Sequence, residues 1–123
     1  MSMKILTVDD SRTMRDMLKL ALTTAGYRVV QAIDGMDGLE VLERETPDLV
    51  ITDINMPDIN GLELIGYVKS NPTYRDIPLI IVSTEKSEED KKRGLALGAA
   101  GYVVKPFKKE ELVSVVSQAL AGK

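Results

Sequence analysis

The chain has 123 residues, a formal net charge of −3 at pH 7, and neither cysteine nor histidine. Its length suits one domain over residues 1–123 that buries about two thirds of the surface of its unfolded form. The missing residue types exclude disulfides, the usual zinc sites, thiol nucleophiles and histidine bases. The negative charge argues against nucleic acid and anionic membranes as partners, and the amino terminus has too few apolar residues for a signal sequence or membrane span. We expect a cytoplasmic protein.

Short aliphatic segments alternate with longer segments whose apolar residues recur every three or four positions, which predicts strands alternating with helices. The predicted strands cover residues 3–8, 27–32, 49–52, 79–82 and 101–104. Predicted helix caps are Ser11, Asp34 and Asn60, and predicted stops are Gly26, Thr46-Pro47, Asn71-Pro72 and Gly98. Apolar strands that each lead into a helix predict an α/β fold. In this fold, also called (βα)5 doubly wound, a five-stranded parallel sheet carries helices on both faces.

The helices differ in their apolar content. Four helices have a set of apolar residues expected to face the core. These are Met14, Met17, Leu18, Ala21 and Leu22 in the first helix, Leu39, Val41 and Leu42 in the second, Leu64, Ile65 and Val68 in the third, and Leu112, Val115, Val116, Ala119 and Leu120 in the last. The fourth helix, predicted over residues 87–97, carries a dense run of charges in its first half. Such a run is typical of a solvated helix face.

Polar residues follow the strands at their carboxyl ends. Asp9 and Asp10 follow the first strand, Asp53 the third, Ser83 the fourth and Lys105 the fifth. Asp53 alone could be an ordinary loop cap. Because ligands of open parallel sheets bind at the carboxyl edge, four such strand ends together predict a single pocket.

The chemistry of this pocket follows from its charges. Three close carboxylates need a counter-charge, and a hard cation with oxygen ligands supplies it, so we expect Mg²⁺, for which Mn²⁺ substitutes. Lys105 and Ser83 would then face phosphate oxygens held by the metal. Asp53 is the candidate nucleophile, because aspartyl phosphate is a known covalent intermediate.

Four motifs, taken in the order in which they occur along the chain, resemble those of receiver domains of two-component response regulators. Within that family they most resemble the stand-alone chemotaxis regulators. They are Val8-Asp9-Asp10-Ser11, Asp53-Ile54-Asn55-Met56-Pro57, Ser83, and Tyr102 through Phe107. The resemblance covers essentially the whole chain. It implies a flavodoxin-like fold with strand order 2-1-3-4-5.

The resemblance also implies a role for each matching residue. Asp53 would be the phosphoacceptor, and the metal ligands would be Asp9 (mainly through water), Asp10, Asp53 and the backbone carbonyl of Asn55. The phosphoryl-binding and switch residues would be Ser83, Thr84, Lys105 and Tyr102, and Asn55 and Glu85 would tune dephosphorylation. A cis bond would join Lys105 and Pro106. The partner surface would carry Lys91, Lys92, Tyr102, Lys108 and Lys109.

Partners and lifetime follow from the same resemblance. A CheA-like histidine kinase would be the phosphodonor, and the target of this monomer would be a flagellar motor switch protein or a histidine phosphotransfer protein, with a phosphatase as a further partner. Polar residues at positions 55 and 85 predict a short-lived phosphoryl group. The β-branched Thr84 would narrow the route to Asp53.

The resemblance implies a signalling switch that is not an enzyme. Other functions remain as alternatives. A phosphorelay carrier would return phosphate from Asp53 to a histidine phosphotransfer protein. An aspartate-dependent phosphatase needs a second acid two residues after its nucleophile, where this chain has Asn55. A flavin mononucleotide carrier is disfavoured because Asp9 and Asp10 would repel its phosphate. A degenerate adaptor would have lost acids that are all present.

Overall fold

Strands and helices alternate through the computed structural model, which describes residues 2–84 and 88–122. The strands are β1 (Lys4–Val8), β2 (Arg28–Ala32), β3 (Leu49–Thr52), β4 (Leu79–Ser83) and β5 (Gly101–Val104). The helices are α1 (Arg12–Thr24), α2 (Gly35–Glu45), α3 (Gly61–Ser70), α4 (Glu88–Ala96) and α5 (Lys109–Ala121). The predicted elements are therefore confirmed, with boundaries that differ by one or two residues, and Ser87, the predicted start of α4, lies outside the described residues.

All strand pairs are parallel, and the order in the sheet is β2-β1-β3-β4-β5. This confirms the flavodoxin-like topology. The central strand β3 lies between β1 and β4, with Val8 opposite Thr52 and Thr52 opposite Ile81. The carboxyl ends of β1 and β3 consequently lie side by side, which is where the acids follow.

Two apolar clusters cover the two faces of the sheet. On one face, α2 and α3 pack against β1, β3 and β4 through residues such as Val41, Leu42 and Ile65. On the other, α1 and α5 bury Leu18, Leu22, Leu112 and Val116 against the opposite side chains of the same strands. The central strands are largely apolar on both faces, as is typical of a sheet that helices cover on both sides.

The helix caps explain where the chain turns. Ser11 accepts a hydrogen bond from the amide of Met14, and Asp34 accepts one from the amide of Asp37. Asn60 and Glu63 form a reciprocal capping box at the start of α3. All three predicted caps are confirmed.

Met17 corrects one prediction about the core. It was expected to face inward, but its side chain is 45% exposed. The inward stripe of α1 is formed by Met14, Leu18, Ala21 and Leu22. Met17 lies about 100° around the helix from Leu18, which turns it towards an open groove between α1 and Phe107.

Helix α4 is the least apolar of the helices. Gly94 is its one buried residue among those described, and its first turn contains Glu88, Glu89 and Asp90. A Cβ atom at Gly94 would collide with Cδ1 of Ile81 on β4, so this glycine lets the helix lie close to the sheet. The predicted solvated face is confirmed. None of the described helices combines the length and the apolarity that a membrane span requires.

Candidate functional site

The acids and the lysine meet at the carboxyl edge of the sheet because each directly continues a strand. The amide of Asp53 donates to the carbonyl of Val8 at 3.1 Å, and the amide of Lys105 donates to the carbonyl of Ser83 at 2.9 Å. Asp9, Asp53 and Lys105 are buried, at 1%, 9% and 7% exposure, whereas Asp10 is exposed. The fold thus gathers residues from three strand ends into one acidic pocket.

Lys105 bridges the two buried carboxylates. Its ammonium Nζ lies 2.8 Å from Asp9 Oδ2 and 3.2 Å from Asp53 Oδ2. The other carboxylate oxygens accept backbone amides: Ser11 donates to Asp9 Oδ1 at 2.9 Å, and Ile54 donates to Asp53 Oδ1 at 2.7 Å. Since buried ion pairs rarely add net stability over apolar packing, this arrangement points to a chemical task.

A divalent cation fits the acid cluster. Asp9, Asp10 and Asp53 each offer a carboxylate oxygen, and these oxygens lie within 4.8 Å of one another. A set of hard oxygen donors in a chain without cysteine or histidine suits Mg²⁺ or Mn²⁺ better than a softer metal. The three predicted side-chain ligands are therefore brought together, while Asn55 lies exposed two residues after Asp53.

The loop after β3 is held close to Asp53 by a residue whose role was not predicted. Gly61, the first residue of α3, donates its amide to the carbonyl of Ile54 at 2.9 Å. A Cβ atom at Gly61 would collide with the carbonyl oxygen of Asp53. The sequence showed this glycine beside a helix cap, but its close approach to the candidate nucleophile is a tertiary feature.

Two of the predicted switch residues, Ser83 and Tyr102, share one face of the sheet. Ser83 is fully buried, and it lies two residues after Ile81, whose register partner on β5 is Tyr102. Alternation along the strands places all three side chains on the face covered by α2 and α3. Tyr102 is half-buried against that cluster, whereas Thr84 is exposed at the rim.

The remaining predictions concern Glu85, the cis bond and the partner surface. Glu85 lies outside the described residues. The Lys105–Pro106 bond is cis. The four lysines of the predicted partner surface are exposed on α4 and at the start of α5: Lys91, Lys92, Lys108 and Lys109.

Comparison with known proteins identifies the family to which this site belongs. Residues 5–117 match the family model described as the response regulator receiver domain. The chain belongs to the response regulator receiver family. The resemblance predicted from the four motifs is confirmed, and with it a role in two-component signalling.

Three relatives illustrate the proteins to which this chain is similar. A Campylobacter jejuni "Chemotaxis protein CheY homolog" is 42% identical over 107 residues, which cover 85% of this chain and 82% of the relative. The crystal structure of chemotaxis response regulator CheY4 of Vibrio cholerae superposes with a TM-score of 0.91 at 37% identity, covering 97% of this chain and 99% of that one. "Response regulator MprA" of Mycobacterium leprae is 38% identical over 112 residues. These residues cover 91% of this chain but 48% of MprA, so the chain spans about half the length of that relative.

Proposed function

We propose that the chain is a phosphorylation switch of the cytoplasm, in which Asp53 accepts a phosphoryl group from a histidine kinase. The observation that carries this proposal is the position of the Lys105 ammonium, 3.2 Å from Asp53 Oδ2 beside a carboxylate cluster. In this step the bond from phosphorus to the donor breaks, and a bond forms between phosphorus and a carboxylate oxygen of Asp53. The donor's leaving group departs with the electron pair of the broken bond.

A magnesium ion would be held by Asp9, Asp10 and Asp53, with the Asn55 carbonyl as a further ligand. When bound, the metal neutralises charge on the transferring phosphoryl group. Lys105 places a positive charge beside Asp53, and the buried Ser83 would supply a hydroxyl donor. Asn55 and Glu85 would orient the water that later hydrolyses the phosphoryl group.

The output of this switch would be a change in the surface formed by α4, β5 and α5. Ser83 and Tyr102 share a sheet face, so movement of the hydroxyl towards the phosphoryl group would leave space for the ring. The exposed lysines of that surface stand beside exposed acids of the same two helices, such as Glu88 and Glu111, so its charge is mixed. We propose a motility target such as a flagellar motor switch protein, since chemotaxis proteins are among the relatives that match over most of their length.

The first test is the intact mass of the protein after incubation with acetyl phosphate, with and without Mg²⁺, followed by rapid acid quenching. The wild type should gain one phosphoryl group when Mg²⁺ is present, and Asp53→Asn should gain none. Asp58→Asn is the matched control, because Asp58 is an exposed acid in the same loop. A wild type without an adduct, or an adduct that persists in Asp53→Asn, would refute Asp53 as the acceptor.

A further inference from the structure

Asp9 is held at every polar atom of its backbone and side chain. Its amide donates to the carbonyl of Ala32 at 3.2 Å, and its carboxylate accepts the Ser11 amide and the Lys105 ammonium. Its carbonyl oxygen accepts a hydrogen bond from Nη1 of Arg15 at 2.8 Å. The last of these contacts has no part in the phosphorylation chemistry described above.

The carbonyl that Arg15 holds belongs to the peptide group that joins Asp9 to Asp10. Because a peptide group is planar, fixing this oxygen also fixes the amide nitrogen and the Cα atom of Asp10, from which its side chain extends. Asp10 needs such support, since its side chain is exposed and accepts no hydrogen bond from the described residues. A charge-assisted bond from a guanidinium to a carbonyl is among the stronger hydrogen bonds.

Arg15 is itself fixed in place from the other side. It is half-buried on α1, and its backbone carbonyl accepts a hydrogen bond from Nε2 of Gln31 on β2 at 3.2 Å. Within the described residues, Arg15 forms no ion pair with a carboxylate. Its contact is with the backbone, which indicates that it orients the acid pair and leaves the carboxylate charges available.

We propose that Arg15 is a positioning residue for the metal: it orients the Asp9–Asp10 peptide group so that the Asp10 carboxylate points into the acid cluster. This inference rests on the proposed function, since it assigns a role towards the magnesium ion of that site. It predicts a change in cation affinity that is opposite to the change expected from charge alone. Removing a positive charge near a cation site should by itself tighten cation binding, whereas losing the orientation of a ligand should weaken it.

The test measures Mn²⁺ binding to the full chain from the electron paramagnetic resonance signal of free Mn²⁺, with Mg²⁺ affinity obtained by competition at fixed ionic strength. Arg15→Gln should weaken both affinities about tenfold, as loss of an outer-sphere partner of a metal ligand does. Arg12→Gln is the matched control. It removes the same charge from an exposed position on the same helix, and it should leave the affinity unchanged or slightly higher.

Two further measurements make the outcome decisive. Arg15→Lys keeps the charge and one donor group, so it should retain part of the metal affinity that Arg15→Gln loses. It can be compared directly with the wild type if Arg15→Gln proves too unstable to measure. At saturating Mg²⁺, Arg15→Gln should still form the acetyl phosphate adduct, because Asp53 and Lys105 are unchanged. Affinity in Arg15→Gln that equals or exceeds that of Arg12→Gln overturns the inference. A wild type that binds no Mn²⁺ overturns the metal site itself, and an adduct-free wild type that does bind Mn²⁺ overturns only the phosphoacceptor.

Discussion

At the residue scale, the contacts of single polar groups in the sheet decide what each of them costs or contributes. Thr7 and Thr52 are both fully buried threonines on neighbouring strands. The hydroxyl of Thr52 donates to the carbonyl of Asp53 at 2.9 Å, whereas the hydroxyl of Thr7 has no hydrogen-bond partner among the described residues. The two residues look alike in the sequence, and their difference arises only when the strands are packed.

The unpartnered hydroxyl predicts a stabilising substitution. Thr7→Val keeps the side-chain shape and removes a buried polar group that has lost its hydrogen bonds to water, so it should raise the free energy of unfolding by about 1–2 kcal/mol. Thr52→Val is the control and should lower it, because the substitution breaks a bond that is made. Urea unfolding followed by circular dichroism measures both, and a destabilised Thr7→Val would mean that the hydroxyl has a partner.

At the element scale, two glycines inside helices, Gly66 of α3 and Gly94 of α4, differ in their surroundings. Apart from its chain neighbours and its own helix backbone, Gly66 on α3 has no atom of the described residues within 4 Å of the position that a Cβ would take. Gly94 on α4 faces Ile81, whose side chain is fully buried and has little room to move. Gly66 therefore has no packing function that its position reveals, whereas Gly94 determines how closely α4 approaches β4.

This contrast predicts opposite outcomes for the same substitution. Gly66→Ala should stabilise the protein by about 0.5–1 kcal/mol, since alanine restricts the unfolded chain and favours the helix. Gly94→Ala has the same helical gain, but the added methyl group must displace Ile81 or α4, so no stabilisation should result. Urea midpoints of the two variants test this, and equal gains at both positions would contradict the packing described for α4.

The start of β1 and the end of α2 are joined by a surface ion pair whose strength depends on pH. Lys4 Nζ lies 3.2 Å from Glu45 Oε1. The hydrogen bond and the charge of Lys4 hold the pKa of Glu45 below its ordinary value of 4.5. A carboxyl whose pKa is lower in the folded state contributes stability above its unfolded pKa and loses that contribution as the pH falls through the folded pKa.

Glu45→Gln should therefore lower the urea midpoint near neutral pH, and the difference from the wild type should shrink as the pH falls below 4.5. The effect should be small and should weaken in salt, because both side chains are partly open to solvent. Glu40→Gln, at an exposed position of the same helix, serves as the control. A difference that stayed constant with pH would show that the pair does not act through the charge of Glu45.

At the scale of the whole molecule, the acid pocket opposes folding unless a cation balances it. Lys105, which follows the fifth strand, supplies this positive charge to the acids that follow the first and third strands. The lysine and its partners are separated by 96 and 52 residues in sequence, so the balance depends on the complete sheet. Mg²⁺ would supply the same compensation from solution.

Lys105→Met should consequently destabilise the metal-free protein by about 3–5 kcal/mol, as the loss of one member of a buried ion pair does. Added Mg²⁺ should raise the melting temperature of this variant more than that of the wild type, because the metal becomes the main counter-charge of the cluster. Lys108→Met, which removes an exposed lysine nearby, should behave like the wild type. Equal responses of Lys105→Met and the wild type to Mg²⁺ would refute this coupling.

The sequence by itself determined the alternation of strands and helices, the caps at Ser11, Asp34 and Asn60, and the polar strand ends. These features depend on periodicity and on local backbone hydrogen bonds, which are encoded within a few residues. The motifs that resemble receiver domains added the strand order, which periodicity does not contain. Met17 was misplaced because helical periodicity defines a stripe only approximately.

Only the tertiary structure decided the contacts between distant segments. The bridge from Lys105 to Asp9 and Asp53, the bond from Arg15 to the Asp9 carbonyl and the unpartnered hydroxyl of Thr7 all depend on how strands and helices lie against one another. Distances and burial arise from packing among residues that are far apart in the chain. A pattern along the sequence can identify the groups at the site, but the geometry by which they act comes from the folded sheet.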